Sequence, residues 1–266
     1  MSITTSISLL KLPRLSYRVW KVWRRNLDVF MKTYRVNFIP PLLEPILYLV
    51  GLGFGLGGYV QPQDGLPYIN FIAPALVAIS MMFSSFYECT YASFVRMYYE
   101  KVFDAIIATP VSLEEVIAGE LLWGATKSLI NSSIVLVVTI VFGLVSSPFS
   151  LLIIPLSILV GLLFSSIAMC FTAIVPNIDS FNYPSFLFIT PMLILSGTFF
   201  SIVSLPLGIQ IFINIFFPLT HVVALTRALA IGKLTVDLIL HFFWLLIVTS
   251  ILFILSIGLM RRRLIK

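Results

Sequence analysis

The stretch SLINSSIVLVVTIVFGLVSSPFSLLIIPLSILVGLLFSSIAMCFTAIVPNI, residues 128–178, contains no Asp, Glu, Lys or Arg. A transmembrane helix needs about 20 apolar residues to cover a hydrocarbon core of about 30 Å. The run is therefore too long for one crossing and right for two, joined at Ser146-Ser147-Pro148. The surface of a soluble domain has no room for so much uncharged chain, and lipid is the solvent that accommodates it.

The rest of the sequence agrees. Hydrophobic residues make up 59% of the 266 positions and charged residues 11%, with a mean hydropathy of +1.07. A soluble domain carries about a quarter charged residues to face water. The formal net charge of +6 does not point to nucleic acid, because its distribution is wrong for that. Lys11, Arg14, Arg18, Lys21, Arg24, Arg25, Lys32 and Arg35 crowd one end, and Arg261, Arg262, Arg263 and Lys266 the other. Basic clusters beside long apolar runs mark cytoplasmic flanks in contact with anionic lipid, so no nucleic-acid partner is expected. Cys89 and Cys170 sit in apolar runs without CxxC spacing and are expected to pack as small hydrophobes, with no disulfide and no metal site. No apolar core with a small-residue cleavage site follows the first basic residues, so no signal peptide is expected.

Working outward from residues 128–178 gives the other elements. Towards the N-terminus, Leu12, Leu15, Val19, Trp23, Leu27, Phe30 and Tyr34 recur every three to four positions beside a basic stripe interrupted by Asp28. Pro13 suits a first-turn position. Residues 1–35 are thus expected to hold an amphipathic helix in the headgroup plane, with a cytosolic helix packed on another subunit as the alternative. A first crossing is expected over about Val36–Val60, with Pro40, Pro41 and Pro45 early and a glycine-rich run from Gly51 to Gly58. No strand precedes that run and no Lys follows it, so it reads as close helix approach and not as a phosphate loop. A second crossing spans about Ile69–Val95. The polar stretch Arg96–Glu115 follows, with a turn at Thr109-Pro110-Val111-Ser112 and capping-box spacing between Ser112 and Glu115. A fifth crossing is expected over about Tyr183–Val203 and a sixth over about Val236–Met260.

Residues 204–231, between these two, are too apolar for an exposed loop, yet Pro206, Gly208, Asn214, Pro218 and Thr220-His221 interrupt them. One more full crossing would put Arg261–Lys266 outside, against the positive-inside bias. The segment therefore reads as two short helices dipping in from the outer face. The expected architecture is all-α and integral to the membrane. Six spans lie within 36–260, with a polar segment 96–115, a re-entrant pair 204–231, a basic tail 261–266 and both termini cytoplasmic. Arg227 and Lys233 on the outer side, and the inner turn at Asp179 with no positive charge, fit this least well.

Catalytic constellations are absent. There is no GxxxxGKS or GxxxxGKT, no HExxH, no GxSxG and no DDxxD, and Gly119 stands where a paired-Glu membrane protease would need Arg. The ionisable groups inside spans are Glu44, Glu88, Glu120 and Lys127, each expensive if left charged in lipid. Glu44 follows Arg35 by nine residues and Glu88 precedes Arg96 by eight. Both therefore fall roughly 12–14 Å from the inner boundary. At one depth they are expected to meet, with at least one protonated or paired with Lys127. This makes Glu44, Glu88 and Lys127 the candidate gate on a translocation path. Structural hydrogen bonding is the alternative for the two acids. For the others it is Lys127 reaching the inner surface and Glu120 sitting at the boundary beside Trp123. Phe200, Phe212, Phe216 and Phe217 read as lipid-facing aromatics, or else as a stacking surface for sugars or drugs.

These residues resemble the permeases of type-2 ATP-binding-cassette (ABC) exporters, in the branch of the nodulation lipo-oligosaccharide and daunorubicin-resistance permeases. The likeness is carried by Glu44-Pro45-Ile46-Leu47-Tyr48 with the glycine run, Phe86-Tyr87-Glu88, residues Tyr98 to Ser112, Gly119-Glu120-Leu121-Leu122-Trp123, and Pro218-Leu219-Thr220-His221 with Arg227-Ala228-Leu229. It covers nearly the whole chain and is most specific from Tyr98 to Trp123. The resemblance implies a coupling helix between the second and third spans, placing Phe103, Asp104, Ile107, Thr109, Pro110 and Val111 against a separate ATPase subunit. It also implies Pro218 and His221 in the re-entrant part, and a permease dimer (homodimer or heterodimer) with two ATPases in the cell membrane. ATP and Mg would sit on the partner, with no cofactor, metal or catalytic residue on this chain. An amphiphilic, lipid-linked or glycan-type cargo, or a drug, would be moved outward. The competing reading is a proton-driven secondary transporter using Glu44 and Glu88. An intramembrane enzyme lacks its motifs.

Overall fold

The computed structural model describes residues 13 and 15–265, and these are almost wholly helical, without a β-strand. Lys11, Leu12, Arg14 and Lys266 lie outside the described residues. Helix α1 is Val19–Tyr48 and continues as a π-helix, Leu49–Leu56. Helix α2, Tyr68–Tyr99, carries π-helical turns at Glu88–Ala92 and Val95–Tyr99. A short α3, Val102–Ile107, precedes α4, Leu113–Val141. Next come α5, Pro148–Ile174, and the helical stretch α6, residues 182–195. Helices α7, Leu207–Phe216, α8, Pro218–Ile231, and α9, Asp237–Leu264, complete the chain.

The charge-free run yields the two expected helices, the end of α4 and all of α5, with the connection at Ser147-Pro148 starting a 3₁₀ turn. Long-range contacts sort the helix ends. At the end carrying α3, Arg261 pairs with Glu114 at 3.2 Å, Arg263 donates to the carbonyls of Thr172 and Val175, and Phe94 meets Phe181. At the opposite end, Ser147 N–H donates to Ala230 O at 3.3 Å, Ser201 to Asp64 at 2.7 Å, and Arg227 to Gly197 O at 2.7 Å. The C-terminal ends of α5 and α9 therefore lie together, so the chain between them must return. Helix α6 makes that return, leading from Phe181 at the α3 end to Gly197 at the other. Its regular part, roughly 21 Å, is shorter than the expected crossing at Tyr183–Val203.

Among the described residues, five helices are long and apolar enough to cross a membrane. Helices α7 and α8 are bent by 93° at Phe217, which leaves helical geometry at φ −107, ψ 97 just before Pro218. The ring of Phe217 lies 6.4 Å from Phe188 in mid-α6, while residues 201 and 230 are both at the end opposite α3. The two helices thus fold back at Phe217, with both ends of the pair on the side of the bundle opposite α3.

Several expectations are corrected. The helix starts at Val19, so Pro13 is not in its first turn. Its buried residues are Val19, Val22, Asn26 and Phe30, so the stripe keeps Val19 and Phe30 but takes Val22 and Asn26, with Trp23 and Leu27 half-buried beside it and Tyr34 exposed. That stripe lies on α4 of the same chain: Trp23 Nε1 donates to Thr126 at 2.8 Å, and a Cβ at Gly119 would stand 2.6 Å from Val22 Cβ. No helical break marks the boundary at 35–36, because α1 runs on through Pro40, Pro41 and Pro45. Each proline removes an N–H donor, and the π-helical segment that follows is the looser continuation. The glycine run packs against another helix at Gly53, facing Ile69, and Gly57 has no room for a Cβ against the Gly53 carbonyl of its own π-helical segment, while Gly51 and Gly58 face open space. The close approaches are instead at Gly119, at Gly124 (beside Cys89) and at Gly161, whose Cβ would stand 2.6 Å from Ser128 Cβ. Arg261–Arg263 form the last turn of α9 and are not a free tail.

Candidate functional site

The first site is an ion network at the meeting of α1, α2 and α4. Arg96 reaches back along α2, placing Nη1 2.8 Å from Glu88 Oε1 and Nη2 2.6 Å from Glu120 Oε2. Glu120 is fully buried and also accepts from Asn26 Nδ2 at 2.8 Å and from Ser93. Glu88 accepts from Trp123 Nε1 at 3.0 Å and lies 3.9 Å from Lys127 Nζ. Lys127 donates to Asn37 Oδ1 at 3.2 Å and stands over the Phe30 ring at 4.5 Å. Two acids and two bases cancel formally, and each carboxylate has several donors. This is the condition under which buried charge is tolerated. The π-helical turns of α2 bracket the network, as such turns often do at functional positions.

This geometry splits the expected gate. Glu88 and Lys127 meet, but Glu88 is held by Arg96 and Trp123, and no hydrogen bond or ion pair joins it to Glu44. Arg96 is not the inner boundary from which depth was counted, because its long side chain returns into the bundle. Glu120 is in the interior, not at the boundary, and Lys127 is held inside by Asn37 and Phe30 and does not reach the surface. Glu44 is exposed on α1. With Lys127, Asn37, Tyr48, Tyr87 and Asn131 it lines a cleft of roughly 640 Å³ between α1, α2 and α4. Asn26 and Ser93 are the network members that the sequence reading missed, while Glu120, named there among the charges inside spans, is placed at the centre of the network. Charge spacing alone gave no sign of Asn26 or Ser93.

The second site is the surface around α3. The chain breaks after α2 at Lys101, a non-glycine residue with φ 55, and restarts as α3. Phe103 is buried, at 1% exposure, so it anchors α3 and offers no contact surface. Asp104, Ile107, Thr109 and Pro110 are exposed, and Val111 is half-buried. The capping box forms in both directions: Ser112 N–H donates to Glu115 Oε2 at 2.7 Å, and Glu115 N–H to Ser112 Oγ at 3.3 Å. Ser16 also donates to Glu115, and Arg18 to Pro110 O, which ties the start of α1 to this surface.

The sequence matches the ABC-2 type transporter family over residues 17–231. The chain belongs to that family. It is 37% identical to nodulation protein J of Rhizobium meliloti over 253 residues, 95% of this chain and 96% of the relative. To nodulation protein J of Sinorhizobium fredii it is 36% identical over 245 residues, 92% and 93% of the two chains. The inner membrane transport permease YadH of Escherichia coli is 22% identical over 185 residues, covering 70% of this chain and 72% of the relative. No solved structure gives a significant match. The protein is therefore a multi-pass transport permease of the cell membrane, as the resemblance from Tyr98 to Trp123 implied.

Within this ABC-2 permease the bent pair is held by side chains. Pro218 opens α8. His221 bonds Asn214 O at 2.8 Å and His241 Nδ1 at 2.6 Å, and stacks on Trp244 at 4.1 Å, joining α7, α8 and α9. Arg227, awkward for an outer position on charge alone, is occupied by Phe71 O, Gly197 O and the Phe71 ring at 3.7 Å. Arg263 similarly brings positive charge to the turn that precedes Asp179. Phe217 packs inward, whereas Phe212 and Phe216 are exposed. Cys89 is buried, Cys170 partly so, and both are free. Among the described residues no cluster of His, Cys, Asp and Glu is arranged for a metal.

Proposed function

We propose that this chain is the membrane-spanning subunit of an exporter whose ATP is hydrolysed by a separate ABC ATPase. The observation that carries the proposal is the exposed surface of α3 and its turn on a chain of this family. Asp104, Ile107, Thr109 and Pro110 face outward there on a short helix pinned by Phe103 and by the Ser112–Glu115 box. The ATPase docks on this surface, ATP and Mg reside on it, and both termini are cytoplasmic. Helices α7 and α8 then form a re-entrant pair on the outer side. The apolar windows of Asn37–Leu56 and Asp237–Leu264 are only 17% and 11% buried, against 72% for Tyr68–Tyr99. These two spans supply the surface for lipid and for a second permease copy. The cargo is an amphiphilic, lipid-linked or glycan-type molecule. A proton-driven mechanism through Glu44 and Glu88 is disfavoured, because Arg96 and Trp123 already hold Glu88.

The test is co-purification. A tagged chain solubilised from its own membrane should bring down an ABC ATPase, and Asp104→Lys should lose the ATPase while still inserting. A chain that purifies without an ATPase, wild type and variant alike, contradicts the proposal.

A further inference from the structure

The sequence has two histidines, His221 on α8 and His241 on α9, and the fold sets Nδ1 of one 2.6 Å from Nδ1 of the other. Neither belongs to the ion network or to the α3 surface. Their tautomers follow from their partners. Asn214 O, 2.8 Å from His221 Nε2, only accepts, so Nε2 carries a hydrogen. On a neutral His221, Nδ1 is then a bare acceptor, and the hydrogen between the rings belongs to His241 Nδ1. Trp244 stacks on His221 at 4.1 Å and fixes the plane of its ring. His221 is buried and His241 half-buried. Asn214 is on α7, so His221 gathers both arms of the bent pair. Its bond to His241 is the only hydrogen bond from that pair to α9 among the described residues.

We infer that the His221–His241 bond is an acid-released latch between the bent pair and the last span. The four ring nitrogens hold two hydrogens when the closed pair is neutral and three when His241 Nε2 is also protonated, and the bond survives in both states. A fourth hydrogen would stand on His221 Nδ1, facing the N–H of His241 with a donor on each side and no acceptor. The released rings hold four, because separated imidazoles each take a proton at about pH 6.5. The open form therefore binds one proton more than the closed form. Closure is favoured above that pH, and the ratio of open to closed rises about tenfold for each pH unit below it. Asp237, one turn before His241 on α9, gives the released imidazolium a carboxylate to face. The other titratable groups on the surrounding elements are few. Helix α7 has none, α8 has Arg227, held by Phe71 O and Gly197 O, and the outer half of α2 has Tyr68. Asp64 is held by Ser201, and Lys233, in the connection before α9, is exposed. The inference rests on the exporter reading only for the side of the membrane that senses the acid.

The test uses the full-length chain in lipid nanodiscs, without ATP or ATPase, so that failure of the latch and failure of ATP-driven export are separate results. Nitroxides on Ile211→Cys and Leu240→Cys, exposed positions of α7 and α9, report the separation by pulsed electron resonance in a background lacking Cys89 and Cys170. One short distance should dominate at about pH 7.5, and a longer one should grow relative to it about thirtyfold between about pH 6.5 and about pH 5. His241→Gln offers an amide N–H to a neutral His221 and an amide oxygen to a protonated one. It should therefore keep the short distance throughout, which also shows that it folds. His241→Leu offers neither, so the longer distance should be present already at about pH 7.5, with the thirtyfold rise lost. Nitrogen-15 spectra of the two labelled histidines, in a chain purified through a histidine-free tag, should show one bare and one protonated Nδ1 at about pH 7.5. The inference is overturned by distances that acid leaves unchanged, by an acid response that His241→Gln retains, by a His241→Leu chain that stays closed, or by two Nδ1 atoms in the same state.

Discussion

The Arg96 guanidinium lies 2.6 Å from the carboxylate of Glu120, joining two helices that the sequence separates by a polar segment and a turn. Glu120 is fully buried, and Arg96 serves Glu88 as well. Removing the cation alone leaves two buried acids with Lys127 as their only base. Arg96→Leu should therefore destabilise the protein by about 3–5 kcal/mol. Arg96→Leu combined with Glu120→Leu should be milder than either change alone, because it removes charge in balance. Thermal unfolding in nanodiscs reads both; additive losses would show that the two side chains do not act as a unit.

The α3 surface separates anchoring from docking. Phe103→Ala should lower stability by about 3–5 kcal/mol, the usual range for deleting a buried ring. Asp104→Lys should leave the unfolding temperature within about one degree of wild type and lose the ATPase, since exposed substitutions away from special features are near neutral. If Phe103→Ala left stability unchanged while abolishing docking, the assignment of roles would be reversed.

Close packing of α4 on α5 and α2 depends on glycine. A Cβ at Gly124 would stand 2.8 Å from Cys89 Sγ and nearer still to Ser165. Gly124→Ala should destabilise by about 1–3 kcal/mol. Gly51→Ala, with nothing within 4 Å, should be neutral or slightly favourable through its helix propensity. Equal effects at the two positions would contradict the packing described.

Topology can be read with cysteines in a background lacking Cys89 and Cys170. Val203 and Leu234 flank the bent pair and are exposed, as is Ile265 after α9. Cysteines at 203 and 234 should both label from outside, and one at 265 only from inside. Labelling of 203 and 234 from opposite sides would make the pair a full crossing.

Much of this architecture was legible because it follows from local rules. A charge-free run longer than one span gives two helices. Ser112 and Glu115 announce a helix start. Two prolines around a short apolar piece produce the 93° bend. The site was less legible, because it depends on side-chain reach across helices. Arg96 looks like a boundary charge in a linear reading, and only its length and the opposed Glu120 return it to the bundle. Asn26 was invisible because an amide on an apolar face contributes nothing to periodicity. Phe103, expected at the ATPase, is a buried anchor, a difference that a six-residue helix cannot reveal by pattern. Of the glycine run only Gly53 packs on another helix and only Gly57 is closed by its own backbone, since glycine in sequence shows permission for close approach and not its use.

The central claim is that this ABC-2 permease moves an amphiphile with energy from a partner ATPase. It is tested most directly in inside-out vesicles holding the chain and its co-purified ATPase, by following accumulation of a fluorescent alkyl glycoside. Accumulation should require ATP, should survive collapse of the proton gradient, and should vanish with Asp104→Lys. Accumulation driven by an imposed proton gradient in vesicles without the ATPase would contradict the account.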